Sequence, residues 1–248
     1  MYDWRAVTKD PNDRHAWRAM DVFLRSITRV EDTSRQEMIV DFARGKDLLD
    51  IGAADHIQRE VLGGWEHGLM AKVAKKAVAA DISREHCDYY NAKGFDFRFV
   101  DATSDADLGE RFDCVFMGDV IEHVNDPVAL LAFAKRHLRP DGRILMTTPN
   151  PFAPRVLRKR SGMRYVIANL EHTSWISVST MHELAHRAGL ELTALRWPLL
   201  KKPRAGLAGQ VSILAKRALL AVAPLETVFA EYAFELAAPR EKASPASA

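Results

Sequence analysis

The chain has 248 residues, of which 48% are hydrophobic and 27% are charged, and its formal net charge is +2. This composition excludes a disordered chain and a small disulfide-stapled protein, and the length is sufficient for one domain with a full core. The two cysteines, Cys87 and Cys114, are interpreted as reduced thiols. The sequence shows no apolar run of about 18 residues and no secretory leader, so we expect a cytoplasmic protein without a spanning helix.

Residues 12–44 are predicted to form two helices. Apolar residues recur there at three- and four-residue spacing on both sides of the polar break at 31–34: Trp17, Met20, Phe23, Leu24 and Ile27, then Ile39, Val40 and Ala43. We interpret residues 1–45 as a helical cover over one end of the sheet that follows.

Short apolar segments alternate with helix-like segments in the middle of the chain, which predicts a parallel sheet with right-handed crossovers. The predicted strands are 47–51, 77–80, 97–100, 112–117 and 143–148. A helix opened by a capping box at Thr180 and closed by Gly189 precedes a strand at 190–197. We predict one α/β domain over residues 1–238, with its core at 46–198, a helical insertion at 199–228 before a last strand at 229–236, and a disordered tail at 239–248.

Glycine and acidic residues follow the ends of successive predicted strands. Gly52 follows the first strand, Asp81 the second, Asp101 the third and Gly118 the fourth. Because the carboxyl ends of parallel strands meet at one edge of a sheet, these residues predict a nucleoside site across that edge. Any one of the acids alone is more typical of a helix cap or a turn, and only their occurrence together favours a binding site.

Five sequence segments carry a resemblance to a known family: LLDIGAAD at 48–55, AVAADIS at 77–83, RFVDA at 98–102, FDCVFMGDVIEH at 112–123 and LRPDGRILMTTPN at 138–150. The chain resembles the class I S-adenosylmethionine-dependent methyltransferases, in the branch that includes ubiquinone-biosynthesis O-methyltransferases and enzymes acting on sugars or secondary metabolites. The first segment departs from the family's usual Gly-x-Gly-x-Gly, because only Gly52 of the three glycines is present. The resemblance implies a Rossmann-like, mostly parallel seven-stranded sheet with helices on both faces.

The resemblance also implies which residues bind S-adenosyl-L-methionine. Asp81 is the expected partner of the ribose hydroxyls, with Ile82 beside it. Asp101 and the backbone N–H of Ala102 are expected at the adenine. The expected residues at the methionine end are Asp50, Gly52, Ala53 and Gly118.

The catalytic candidates follow the fourth predicted strand. Asp119, Glu122 and His123 stand at i, i+3 and i+4, so they share one face if a helical turn starts there. For O-methylation, His123 is the expected general base. The resemblance also implies that a second imidazole, that of His172, lies over the site. Two alternatives stay open: Asp119, Glu122 and His123 bind a divalent metal that acidifies the acceptor hydroxyl, or Glu122 and His123 only buttress the turn.

Two readings from other functional classes also stay open. Residues 182–186 read His-Glu-Leu-Ala-His, which matches the helix of zinc hydrolases, although Leu192 stands where the longer motif has a third histidine. The reduced glycine motif leaves a non-catalytic nucleoside-binding protein as the other alternative.

Charge is distributed unevenly along the chain. Residues 1–150 contain 21 Lys and Arg against 26 Asp and Glu, whereas residues 151–248 contain 14 against 7. We expect a small-molecule or glycan-type acceptor, with a lipid-linked acceptor and peripheral membrane contact as the functional interpretation of the basic half. No nucleic-acid partner is expected, and the oligomeric state is unknown.

Overall fold

The computed structural model describes residues 2–54, 64–150, 152–153, 169–200, 207–220 and 225–239. The strands are β1 Thr28–Ser34, β2 Asp47–Ile51, β3 Lys76–Asp81, β4 Phe97–Phe99, β5 Phe112–Gly118, β6 Leu138–Pro149, β7 Glu191–Leu200 and β8 Glu231–Ala237. The helices are α1 Arg14–Ser26, α2 Arg35–Ala43, α3 Glu66–Ala71, α4 Arg84–Asn91, α5 Pro127–Arg136, α6 Val178–Arg187 and α7 Leu207–Leu220, and Trp4–Ala6 and Leu225–Thr227 are short 3-10 turns.

All eight strands form one sheet in the order β1-β7-β8-β6-β5-β2-β3-β4. Strand β8 is antiparallel to both of its neighbours, and every other pairing is parallel. The predicted Rossmann-like, mostly parallel sheet with helices is therefore confirmed. Within the described residues the sheet has eight strands rather than the predicted seven.

The additional strand is β1, which lies in the polar break between the two predicted N-terminal helices. It pairs in parallel with β7, with Thr28 opposite Ala194 and Ser34 opposite Leu200. Most of its side chains are exposed or half-buried, because β1 is an edge strand. Natural edge strands carry charged side chains that discourage further pairing, so a polar sequence is compatible with a strand in this position.

The two N-terminal helices pack on opposite faces of the sheet rather than together over one end. Phe23 and Leu24 of α1 pack against the core that contains helices α5 and α6. Met38 and Ile39 of α2 belong to a separate core with Met70 of α3. Strand β1 carries the chain from one face to the other. The Ser34 side chain accepts a hydrogen bond from the Glu37 backbone N–H and so caps α2 at the carboxyl edge of the sheet.

Several predicted features have different boundaries or lie in undescribed parts of the chain. Helix α6 begins at Val178, and its N-cap is Ser177. The predicted capping box has Thr180 as the N-cap, three residues later. Helix α7 lies inside the predicted insertion. The basic stretch at 155–164, Lys201, Lys202 and Arg204, and residues 240–248 of the predicted tail lie outside the described residues.

None of the described helices has the length and apolar content that a membrane-spanning helix requires.

Candidate active site

The first loop of the site requires glycine at position 52. Gly52 has φ +70°, and its backbone N–H donates to the Ala80 carbonyl at 2.8 Å. A Cβ added there would lie 2.5 Å from Cγ2 of Val120, closer than real Cβ contacts come. The neighbouring Ala53 is buried, and its carbonyl accepts a hydrogen bond from the Trp65 indole at 2.9 Å. The positive φ and the close approach of Val120 therefore both require glycine at position 52, where strand β2 meets the loop after β5.

Asp50 is directed into the protein interior. Its Oδ2 lies 2.9 Å from Nδ1 of His67, and both side chains are buried. Burial raises the pKa of Asp50, and the hydrogen bond with His67 opposes that shift. This contact joins β2 to helix α3, so the structure gives Asp50 a packing role beneath the predicted methionine end.

Asp81 ends strand β3 with both carboxylate oxygens in use by the backbone. Oδ2 accepts from the Ala54 N–H at 3.0 Å, and Oδ1 accepts from the Ser83 N–H at 2.8 Å. The next residue, Ile82, is 68% exposed although it is apolar. A carboxylate at the edge with an open apolar surface beside it suits a ribose and its attached ring.

Asp101 holds a turn after β4. Its Oδ1 accepts from the backbone N–H and the hydroxyl of Thr103, at 2.8 and 2.7 Å. These hydrogen bonds lower the pKa of the exposed Asp101 carboxyl. Ala102 is half-buried and packs against the main core. The pair thus lies on the β4 side of the edge, in the geometry of a local turn.

A buried arginine that the sequence analysis did not identify lies at the centre of the edge. Arg35, the first residue of α2, is 3% exposed, and its guanidinium binds the carboxylates of Glu66 at 2.7 Å, Asp119 at 3.1 Å and Glu231 at 3.0 Å. Burial acts to lower the pKa of Arg35, but attraction to the three carboxylates outweighs it and raises that pKa. A Cβ on Gly118 would lie 3.1 Å from a Glu66 oxygen, so this cluster adjoins the end of β5.

The turn after β5 separates the predicted catalytic residues. Asp119 has φ +56°, and residues 121–123 form a turn rather than a helix. The Asp119 carboxylate accepts from the hydroxyl of Thr147 at 3.1 Å as well as from Arg35. Asp119, Glu122 and His123 therefore do not share a helical face, because the left-handed residue at the start breaks the helical spacing.

Glu122 is buried at the turn after β5. It is 2% exposed, and its Oε2 accepts a hydrogen bond from the Thr148 hydroxyl at 2.9 Å. Its Oε1 has no hydrogen-bond partner within the described ranges. Burial raises the pKa of Glu122 to about 7, and the nearby Asp119 charge adds to that rise.

Two imidazoles complete this second group. The rings of His123 and His172 meet edge to face with centroids 4.7 Å apart. His172 Nε2 lies 4.0 Å from Glu122 Oε1. The loop is fixed because the Glu122 carbonyl accepts from the Thr173 N–H at 2.8 Å. His123 is one-third exposed and His172 one-tenth, so His123 is the more accessible base.

Glu122, His123 and His172 could together hold a metal ion, because their ligand atoms lie within 4.8 Å of one another. Among the described residues, no other group of three or more His, Cys, Asp or Glu side chains has this arrangement. One carboxylate and two imidazoles suit a divalent transition metal. The predicted metal set differs at one position, since the structure groups His172, not Asp119, with Glu122 and His123.

The His-Glu-Leu-Ala-His segment of α6 holds the N-terminal segment. His182 Nε2 lies 2.9 Å from the Tyr2 carbonyl oxygen, and Glu183 accepts hydrogen bonds from Arg5, Trp4 and Arg187. None of the motif residues belongs to the potential metal-binding set in the described chain. The zinc-hydrolase alternative therefore has no support, because its glutamate is neutralised by arginines and one histidine is buried against backbone.

Comparison with known proteins bears on the identity of this site. Residues 23–195 match a family described as a methyltransferase domain. The ubiquinone biosynthesis O-methyltransferase of Cereibacter sphaeroides is 29% identical over 59% of this chain and 61% of its own, so the match spans about three fifths of that relative.

Two solved structures share the fold. A methyltransferase from Streptomyces caelestis has a TM-score of 0.54 at 11% identity, over 82% of this chain and 87% of that one. An S-adenosylmethionine-dependent methyltransferase from Clostridium acetobutylicum has a TM-score of 0.51 at 10% identity, over 82% and 88%. The family match covers more than half of the chain, and the chain therefore belongs to the methyltransferase-domain family.

Proposed function

We propose that the protein transfers the methyl group of S-adenosyl-L-methionine to a hydroxyl oxygen of a small-molecule or glycan-type acceptor, including acceptors linked to a lipid. The observation that carries the proposal is the group of Glu122, His123 and His172, which is built on the turn that follows β5. The curated relatives named ubiquinone biosynthesis O-methyltransferases support transfer to oxygen.

The cofactor-binding half would be formed by the edge from β5 to β3. When bound, S-adenosyl-L-methionine supplies a methyl group on a positively charged sulfur, open to in-line attack. Asp81 and Ile82 would contact the ribose and adenine, and Gly52 and Gly118 would lie at the methionine end. Three carboxylates surround the single guanidinium of Arg35, and this excess negative charge suits the cationic end of the cofactor.

In the acceptor-binding half, a protein base would accept the proton that the acceptor hydroxyl loses. His123 is the most accessible base of the group, so its imidazole nitrogen would accept the proton of the attacking hydroxyl. His172 and Glu122 lie behind it, with Glu122 Oε1 at 4.0 Å from His172 Nε2. A carboxyl with a pKa of about 7 can share that proton near neutral pH.

A divalent cation on Glu122, His123 and His172 is the second candidate for the same step. It is favoured by the spacing of the three ligand groups and by Oε1 of Glu122, which lacks a hydrogen-bond partner among the described atoms. A cation there would lower the pKa of a bound hydroxyl, so that the hydroxyl could lose its proton without a strong protein base.

The test is methyl transfer from labelled S-adenosyl-L-methionine to matched panels of phenols, anilines, thiophenols and sugars. Methylation of hydroxyl compounds, lost on His123→Ala, is the expected result. Methylation confined to amines or thiols would contradict transfer to oxygen.

The metal question needs a separate measurement. Calorimetry with Mg²⁺, Mn²⁺ and Zn²⁺ on the wild type and on Glu122→Gln reports binding without relying on turnover. A metal-dependent enzyme would bind one of these ions, lose that binding in the variant, and lose activity in EDTA. Full activity in EDTA would leave His123 as a simple base.

A further inference from the structure

Two side chains at the start of α3 hold the end of strand β2 and the residues that follow it. The Trp65 indole N–H donates to the carbonyl of Ala53 at 2.9 Å. Nδ1 of His67 lies 2.9 Å from Oδ2 of Asp50. Both the indole and the imidazole are buried. The short segment 65–67 therefore contacts residues 50–53 at two points.

Neighbouring aromatic rings fix the orientation of the Trp65 indole. The indole stacks on Tyr90 of α4, with ring centroids 4.4 Å apart and an interplanar angle of 14°. Phe95 meets it edge to face at 4.9 Å. Since Trp65 is only 5% exposed, these rings leave the indole little room to rotate. Packing thus directs its N–H toward Ala53 before any ligand binds.

The same aromatic cluster receives the two alanines that follow Gly52. Ala53 is a buried member of the cluster, and Ala54 packs against it. Ala54 stands where the family's usual pattern has its second glycine. Its backbone N–H donates to Oδ2 of Asp81 at 3.0 Å. The cluster therefore accommodates the methyl group of Ala54, while the Ala54 backbone contacts the acid assigned to the ribose.

We propose that Trp65 is a positioning residue for the methionine end of S-adenosyl-L-methionine. This role rests on the proposed function, in which Gly52 lies at that end, because Trp65 binds the carbonyl of the residue after Gly52. A backbone that is already fixed need not be ordered by the ligand. The hydrogen bond to Ala53 thus increases cofactor affinity although Trp65 does not touch the cofactor.

Calorimetry with S-adenosyl-L-homocysteine and with methylthioadenosine tests this role. The two probes share the adenosine and the sulfur, but methylthioadenosine lacks the amino-acid end. Trp65→Phe removes the indole N–H and keeps an aromatic ring against Tyr90. The variant is expected to bind S-adenosyl-L-homocysteine about five-fold more weakly, the usual effect of one hydrogen bond, and methylthioadenosine about two-fold more weakly or less.

Gly68→Ala perturbs the same contact by another route. A Cβ on Gly68 would lie 2.7 Å from Cε3 of Trp65, so the indole has to move, although its N–H is retained. Alanine has a higher helix propensity than glycine, so the change does not weaken α3 itself. This variant is expected to lose affinity for S-adenosyl-L-homocysteine and to keep its affinity for methylthioadenosine. It decides the question if Trp65→Phe does not fold.

Trp197→Phe is the matched control. Trp197 is 4% exposed and stacks on Phe229 with centroids 4.8 Å apart, but its indole nitrogen has no hydrogen-bond partner among the described atoms. The control should bind both probes like the wild type.

The role is overturned if a folded Trp65→Phe variant keeps the wild-type affinity for S-adenosyl-L-homocysteine, a result that would leave the proposed function intact. It is also overturned if the variant loses affinity for both probes equally, as a general loss of structure would cause. A wild type that binds neither probe would contradict the cofactor assignment itself, and the role of Trp65 with it.

Discussion

Asp119 and Glu122 are three residues apart on one turn, yet their carboxylates have opposite environments. The Asp119 carboxylate pairs with the guanidinium of Arg35, and the Asp119 side chain is more than one-third exposed. Glu122 is buried, its Oε2 accepts a hydrogen bond from the hydroxyl of Thr148, and burial raises its pKa to about 7. One acid lies in a charged cluster, and the other lies buried beside two histidines.

The strand opposite the turn accounts for this separation. Thr147 donates to Asp119, and Thr148 donates to Glu122. Consecutive residues of a strand point to opposite faces, so the two acids are drawn to different sides of β6. The turn thereby divides the edge into two sides, which in the proposed function are a cofactor half, on the Arg35 side, and an acceptor half, on the histidine side.

The largest expected effect comes from removing the cation of the first half. Arg35→Met should lower the free energy of unfolding by about 3–5 kcal/mol, because the change leaves three carboxylates near one another without their counter-ion. Urea unfolding followed by circular dichroism measures it. Arg25→Met is the control, since Arg25 is 71% exposed and pairs with Asp21 at i,i+4. A loss of about 0.5 kcal/mol or less is expected there, and equal losses would contradict the cluster's role.

In the acceptor half, the effect of removing a buried charge is expected to be the reverse. Loss of the Glu122 charge should favour the folded state at high pH, whereas loss of the Arg35 charge should disfavour it. The pKa of Glu122 is raised in the folded protein to about 7. Its stability contribution is therefore fully present below its unfolded pKa and is lost as pH rises through about 7. Relative to Glu122→Gln, the wild type should lose about 3 kcal/mol of unfolding free energy between about pH 4 and pH 8.

Urea unfolding of both proteins at the two pH values gives this double difference. The same substitution at Glu85, an exposed residue of α4, serves as the matched control. A wild type and Glu122→Gln variant with parallel pH profiles would show that the Glu122 carboxyl is not perturbed.

His123 tests whether the acceptor half performs the chemistry. His123→Ala should lower kcat by about 100-fold or more, while the dissociation constant for S-adenosyl-L-methionine stays unchanged. Single-turnover kinetics and calorimetry separate the two quantities. A normal kcat would remove His123 as a base, and a large loss of cofactor affinity would place it in the cofactor half instead.

Asp81 tests the cofactor half with the smallest expected effect. Asp81→Ala should weaken cofactor binding by about 1.5–3 kcal/mol, because charge-assisted hydrogen bonds to the ribose would be lost. Asp81→Asn keeps one side-chain acceptor for the Ser83 and Ala54 N–H groups and should lie between the wild type and Ala. Asp88→Ala, an exposed change on α4, is the control in the same calorimetric titrations. Wild-type affinity in Asp81→Ala would refute the ribose assignment.

The parts of the fold that the sequence predicts best are those with a strong local pattern. Strand β2 has its predicted bounds, and β5 differs by one residue, because both are short apolar runs followed by glycine. Strand β1 was missed, since an exposed edge strand has no apolar pattern to distinguish it from a loop.

The site was predictable in its location and less so in its contacts. Glycine and acids at strand ends indicate the carboxyl edge, and Glu122, His123 and His172 do lie together. Arg35 could not be foreseen as buried, because its three carboxylates come from distant parts of the chain. The spacing of Asp119 and Glu122 predicts a shared helical face, and this prediction is wrong. Asp119 has a left-handed backbone conformation, which its position in the sequence does not indicate.

The two outer strands of the sheet have a consequence for self-association. One border is β1, which carries the charged residues Arg29, Glu31 and Asp32, and the other is β4, which is only three residues long. Neither border offers a long, flat, apolar template onto which another chain could add by backbone pairing. Both borders of the described sheet therefore disfavour aggregation by strand addition.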